Sequence, residues 1–283
     1  MYQNQKKFYF MAGLPRSGSS LLSSILNQNP KFYSGPSSPV FGAMYKMEQH
    51  FISDELYTGY PKPNQVREMI GSIANHFYGD IPQNIVFDKN RAWPARIAYI
   101  EGYIQQEAKI LVLVRSIDEI LTSILKMIHR NPFQEGQARI NFVDEQLVKL
   151  NIPINDANRC QYLLNNGGIV YESLNAILEG FNQNMKEKMF FVDYNKLVSN
   201  PEETIDKVYN FLGEEKYKHR FDSLHNIHRE DDLHTYGLSD MHEVRPELKK
   251  ISENPKLVLP KSIINLYEEN KSKLEFWRET ETN

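Results

Sequence analysis

Apolar residues along the chain gather into unbroken runs and into helically spaced stripes. Phe8–Leu14, Asn84–Lys89, Ile110–Ser116 and Met189–Tyr194 each carry a continuous or nearly continuous apolar stretch. Runs of this length without polar alternation predict strands covered on both faces. Lys31–Ser34 reads as a further short strand. Between them the spacing changes. Leu21, Leu22, Ile25 and Leu26 recur at helical intervals, as do Leu121, Ile124, Leu125 and Ile128, and Leu174, Ile177, Leu178 and Phe181. Val40–Ile52 predicts a helix whose Phe41, Met44, Tyr45 and Met47 serve the core. The segments Ile120–Leu150 and Ile154–Phe181 read as mainly helical, broken after His129-Arg130-Asn131-Pro132 and at the turn Asn165–Gly168. Pro201 and Gly213 bracket a helix that buries Ile205, Val208, Tyr209 and Leu212. A last helix is expected near Lys261–Arg278, and Ser34–Pro39 and Tyr57–Asn64 read as loops.

Strands that alternate with helices predict an α/β fold. Its central parallel sheet is flanked by helices, with a helical region of about 120–185 inserted between strands. The 283 residues make one large domain or two small ones, with ample material for a core. Charged content is 24% and net charge −3, so broad nucleic-acid binding is not expected. Any anion site must be a local concentration of Arg and Lys. Cys160 is alone, which excludes a disulfide framework and a Cys-based metal cluster and fits a reducing compartment. No apolar run approaches the ~20 residues needed to cross a bilayer, and Phe8–Leu14 leads into Pro15-Arg16 without a cleavage site. A cytoplasmic location is expected.

The most informative stretch joins the first strand to the first helix through Gly13-Leu14-Pro15-Arg16-Ser17-Gly18-Ser19-Ser20. A loop of this kind points backbone N–H groups, hydroxyls and the positive end of a helix at one place, which suits a phosphate-like anion. Gly13 and Gly18 have the spacing of a nucleotide-kinase loop, but Ser19 stands where that loop needs Lys. The cation is Arg16, whose fork can hold two oxygens of a tetrahedral anion. The other strands end in charge. Asp88, Lys89, Arg91 and Trp93 follow the second buried run, and carboxyl ends of parallel strands are where α/β sites lie. After the third run, Ser116-Ile117-Asp118-Glu119 reads as a capping box. Ser123 lies about two helical turns beyond Ser116, on the side that Arg115 approaches, so an Arg and a Ser can hold a second phosphate there.

Pro15-Arg16-Ser17-Gly18-Ser19-Ser20-Leu21-Leu22 resembles the 5′-phosphosulfate loop of the sulfotransferases that use 3′-phosphoadenosine 5′-phosphosulfate (PAPS), Pro-[Lys/Arg]-Ser-Gly-[Thr/Ser]-[Thr/Ser]. The likeness continues along the chain. Lys89 matches a strand-end Lys that contacts the sulfate being transferred. Arg115 and Ser123 match an Arg and a Ser, eight residues apart, that bind the 3′-phosphate. Tyr194-Asn195-Lys196-Leu197, Ser199-Asn200-Pro201 and Phe211-Leu212-Gly213 match a late strand and helix, where Tyr194 reaches the nucleotide. The resemblance implies the sulfotransferase version of the P-loop nucleotide-hydrolase fold as a single domain, 1–283, with PAPS as cosubstrate and no metal. The acceptor, a hydroxyl or an amine on a small molecule, sugar, lipid or peptide, is not written in the sequence. Arg16, Ser17, Gly18, Ser19, Ser20, Arg115, Ser123 and Tyr194 are then the nucleotide-binding residues. Tyr236 and Arg245 join them from a late loop that folds over the nucleotide.

Negative charge develops on the bridging oxygen as the sulfuryl group leaves. Arg16, Lys89 and the loop N–H groups are placed to stabilise it. The base is harder to assign. Many relatives have a His two residues after the strand Lys, where this chain has Arg91. Others have a Glu in the loop after the first helix, where this chain has Gly35-Pro36-Ser37-Ser38-Pro39. Asp88 is the nearest candidate, followed by Glu48, His50 and His242; an ion-pair role for Asp88 stays open. The stretch 225–245 carries His225, His228, Arg229, His234, Tyr236, His242 and Arg245 among acids, but lacks paired His residues at helical spacing that would announce zinc. Two other readings are a P-loop small-molecule kinase and a non-catalytic nucleotide-binding module of the same fold.

Overall fold

A computed structural model describes residues 5–133, 139–228, 230–249 and 254–280. Its centre is a five-stranded parallel sheet of β1 (Lys7–Gly13), β2 (Phe32–Ser37), β3 (Ile85–Lys89), β4 (Ile110–Val114) and β5 (Met189–Asp193). The spatial order is β2-β3-β1-β4-β5. Lys7 pairs with Ile85 and Met11 with Lys89 across β1 and β3, and Phe10 pairs with Ile110 across β1 and β4. The chain therefore fills one side of β1 with β2 and β3, then crosses to fill the other with β4 and β5. A crevice opens at such a reversal, beyond the carboxyl ends of the strands.

The unbroken apolar runs are explained by layers on both faces. Side chains alternate along a strand. Phe8, Phe10 and Ala12 of β1 pack with Val86, Ile110, Val112 and Val114 in one core, while Tyr9 and Met11 pack with Phe87, Leu111, Leu113 and Val192 in the other. The first core is covered by helices Ile117–Arg130 and Ile169–Asn182, among others. The second is covered by α1 (Ser19–Leu26) and helix Pro201–Leu212. Between β4 and β5 run helices Ile117–Arg130, Phe142–Lys149, Asp156–Leu164 and Ile169–Asn182, the inserted helical region.

Three local expectations change. Ser34–Pro39 is not simply a loop: β2 continues to Ser37, with a register shift between Ser34 and Ser37 that accommodates Pro36. Ser38 N–H still donates to the Lys89 carbonyl at 2.8 Å. Tyr57–Asn64 contains the end of a short helix, Glu55–Gly59, capped by Asp54, which accepts from Tyr57 N–H at 2.9 Å. The expected capping box at Ser116 does not form. Ile117 N–H donates instead to Glu275 Oε1 at 2.9 Å, and the Ser116 hydroxyl donates to Asp118 and Glu275. Glu275 is buried and comes from the far end of the chain. Glu119, released from capping, pairs with Arg115 at 3.2 Å.

Candidate active site

The crevice at the strand reversal is a cavity of about 440 Å³. The loop between β1 and α1 forms its floor. Two hydrogen bonds fix where that loop leaves the sheet: Leu14 N–H to the Leu113 carbonyl at 2.9 Å, and Asn90 N–H to the Met11 carbonyl at 3.0 Å. The Ser17 hydroxyl turns inward and donates to the Leu14 carbonyl, tying the loop to itself. Gly18 adopts φ 92°, and a Cβ there would come within 2.7 Å of the Tyr194 ring, so only glycine fits. No side chain caps α1, whose first turn faces the cavity through Ser19, Ser20 and Leu21. An uncapped helix amino end in a concave site is an anion cradle.

Arg16 sits at φ 59°, in the left-handed region. Its Nε donates to Ser123 Oγ at 3.2 Å, and its Nη1 donates to the Met241 carbonyl. The Arg16 carbonyl accepts from Arg115 Nη1 at 3.3 Å. The loop cation and the Arg–Ser pair predicted from distant segments therefore form one network. Arg115 also lies over the Tyr194 ring, 4.3 Å from its centre, a cation–π contact that holds both side chains at the cavity wall. Burial, then the neighbouring Arg115, lowers the Arg16 pKa to about 10, which leaves it charged at neutral pH.

Lys89 emerges at the end of β3, almost fully buried, with Nζ 3.4 Å from Glu230 Oε1. Burial pushes its pKa down and Glu230 pulls it up. Arg91 lines the same wall and bonds the Tyr236 hydroxyl. On helix Ile117–Arg130, Glu119, Ser123, Lys126 and Arg130 share the face that lines the cavity. Arg245 and Lys249 approach from the late loop. Cations outnumber the acids Glu119, Asp240, Glu243 and Glu247 on the lining, although the whole chain is net negative. That is the local concentration of positive charge which an anionic ligand requires.

Arg16, Gly18, Ser19, Ser20, Lys89, Arg115, Ser123, Tyr194 and Arg245 all line the cavity. Asp88, Ser17 and Tyr236 stand apart. Asp88 is 1% exposed and faces the core, where its carboxylate accepts from the Tyr78 hydroxyl at 2.8 Å and Trp93 Nε1 at 2.7 Å. Burial raises its pKa and those hydrogen bonds oppose the rise. It belongs to the β3 framework, so its candidacy as the base is withdrawn. The Ser17 hydroxyl serves the loop rather than the cavity. Tyr236 packs on Phe142 and His242 and fixes Arg91 from behind. Glu48 is taken by the Tyr103 hydroxyl and His50 is an exposed helix residue; neither lines the cavity. Lys126 and Arg130 were missed, although their spacing from Ser123 puts all three on one helical face.

Within the stretch 225–245, Arg229 lies outside the described residues. The rest contains one compact cluster. His242 Nδ1 is 2.6 Å from Asp232 Oδ1 and 3.4 Å from Glu230 Oε2. Glu230, Asp232 and His242 each offer a ligand atom within 4.8 Å of the others, a grouping that could hold a metal ion. Their polar atoms already serve one another: Asp232 accepts from the His242 ring, and Glu230 pairs with Lys89.

A sequence profile of the sulfotransferase family matches residues 9–219, most of the chain. The protein belongs to the sulfotransferase family. No curated protein sequence matches it. Among solved structures, mouse sulfotransferase SULT7A1 complexed with PAP has 13% identity and a TM-score of 0.53, covering 96% of this chain and 85% of that one. The sulfotransferase domain of the Synechococcus PCC 7002 olefin synthase has 15% identity and a TM-score of 0.48, covering 95% and 96%. At 13% identity the likeness to the mouse enzyme concerns the fold, which is the expected P-loop-like sulfotransferase fold. No helix among the described residues is long and apolar enough to cross a membrane.

Proposed function

We propose that the protein transfers the sulfuryl group of PAPS to a hydroxyl or amine acceptor. The observation that carries this reading is the convergence on one cavity of the uncapped α1 terminus, the Arg115–Ser123 pair and the buried Lys89. Arg115 and Ser123, with Lys126 and Arg130 nearby, suit the 3′-phosphate. The α1 terminus and Arg16 suit the 5′-phosphosulfate. Lys89 suits the bridging oxygen on which charge builds as the sulfur–oxygen bond breaks. The PAP bound to the mouse neighbour agrees with a nucleotide of this type. A kinase reading fares worse, because Ser19 occupies the position of the Lys that reaches the β,γ-phosphates.

In this reading side chains supply all the positive charge. Formation of 3′,5′-bisphosphoadenosine from PAPS should therefore continue in excess EDTA at close to its untreated rate. Complete loss, restored by a divalent ion, would place a cation among Glu230, Asp232 and His242 and remove this account of charge.

A further inference from the structure

An acceptor hydroxyl must lose its proton as it attacks sulfur. Around Lys89 the side chains that could take it are few. Arg91 stays protonated at any working pH. Asp88 faces the core, bonded to Tyr78 and Trp93. Glu230 is held by Lys89 and by Ser37 N–H at 2.9 Å. His242 lines the cavity, and its geometry differs from all of these.

Asp232 grips His242 twice. One carboxylate oxygen is 2.6 Å from the ring Nδ1, and the other accepts from the His242 backbone N–H at 2.9 Å. The His242 carbonyl accepts from Asn226 Nδ2 at 2.9 Å. Ring and backbone are thus fixed together, from a segment that is otherwise irregular. Nδ1 faces two carboxylates, Asp232 and Glu230, so it carries the proton and leaves the lone pair on Nε2. No partner of Nε2 is present among the described residues. A donated Nδ1–H to a fixed carboxylate, with Nε2 left without a partner in a residue that lines the cavity, is the arrangement that makes imidazole a directed base.

We infer that His242, oriented by Asp232, removes the proton of the acceptor in sulfuryl transfer, an inference that rests on the proposed reaction. The acceptor oxygen forms a bond to sulfur. The bond from sulfur to the bridging oxygen breaks, and its electron pair stays on the 5′-phosphate. The acceptor's proton passes to His242 Nε2. Asp232 is a positioning residue: it fixes the tautomer and stabilises the imidazolium that forms. The charged and titratable groups facing the ring are Asp232 and Glu230 from its own segment, Lys89 from β3, and Tyr236, whose ring lies 5.6 Å away. Burial lowers the His242 pKa, while the two carboxylates oppose that fall. The imidazole is therefore neutral and ready at pH 7, and the rate should fall as pH drops through its pKa.

The test uses the full chain, PAPS, and two probe acceptors, benzyl alcohol and 4-nitrophenol. An alcohol needs a base, whereas 4-nitrophenol ionises readily by itself. His242→Gln should slow turnover with benzyl alcohol by about 10²–10⁴ and with 4-nitrophenol by at least about tenfold less. Calorimetry should show that the variant still binds 3′,5′-bisphosphoadenosine. Asp232→Asn should move the acid limb of the pH–rate profile to lower pH, because the imidazolium loses its carboxylate. ¹⁵N-histidine spectra read the tautomer without any acceptor, with His242→Gln supplying the assignment. They should show Nδ1–H and a bare Nε2 in the wild type, and a mixture in Asp232→Asn. A protonated Nε2 in the neutral wild-type ring, or equal losses with the two acceptors, overturns the assignment of the base while leaving the proposed reaction intact. Wild-type protein that neither binds the bisphosphate nucleotide nor consumes PAPS overturns the reaction, and the base with it.

Discussion

Replacing Lys89 by alanine is expected to slow sulfuryl transfer by roughly 10²–10³ while binding of 3′,5′-bisphosphoadenosine stays near the wild-type value. The two effects separate because the product nucleotide lacks the sulfuryl group. In the proposed reaction Lys89 would act on charge that appears only as the sulfur–oxygen bridge breaks, so its contribution would be greatest in the transition state. An interaction of that type moves kcat more than affinity. The side chain is held ready for this role, buried at the end of β3 with Glu230 as its ion-pair partner at 3.4 Å. Glu230 keeps Ser37 N–H and His242 in the variant, which limits the damage to folding. Single-turnover kinetics beside calorimetry make the comparison. Normal turnover in Lys89→Ala would reduce the residue to an ion-pair partner and sink the proposed geometry.

Arg115→Ala should show the opposite balance. The wild type is expected to bind 3′,5′-bisphosphoadenosine far more tightly than AMP, because in the proposed reading Arg115 and Ser123 hold the extra phosphate. Charge-assisted hydrogen bonds contribute about 1.5–3 kcal/mol each. Losing one such bond lowers affinity for the bisphosphate by roughly 10–150-fold. Affinity for AMP is the internal control, since Arg115 also stacks on Tyr194 and supports the Arg16 carbonyl. A general disturbance of the loop would weaken both nucleotides together. Equal wild-type affinities for the two, measured by calorimetry, would remove the 3′-phosphate from the account.

The sheet was legible because its signal is local and doubled. β1 and β4 place apolar side chains on both faces, so their runs have no polar interruptions, and each ends at a turn or a charge. The anion loop was legible for a similar reason: its glycines and the Ser residues opening α1 fall in one short stretch, although the Tyr194 ring that Gly18 must clear is remote. Misreadings came where a partner is remote. Ser116 looked like a local cap until Glu275 arrived from the last helix region to take Ile117 N–H. For Asp88 and Lys89 the pleat of β3 itself separates the side chains. Adjacent residues on a strand point to opposite faces. Asp88 follows Val86 into one core and Lys89 follows Phe87 to the other side, so they could not share a site. His242 was visible as one histidine among several. Its pairing with Asp232 depends on the path of an irregular segment, and no periodicity encodes that path.

Whether this cavity moves a sulfuryl group from PAPS to another molecule is tested most directly by transfer of ³⁵S from labelled PAPS. The wild type and Lys89→Ala are run side by side on a mixed panel of alcohols, phenols, sugars and amines. Acceptor-dependent release of 3′,5′-bisphosphoadenosine is predicted, matched mole for mole by label on the acceptor and largely lost in the variant. Tight binding of the bisphosphate with no label transferred to any member of the panel, or ATP-dependent phosphorylation in its place, would contradict it.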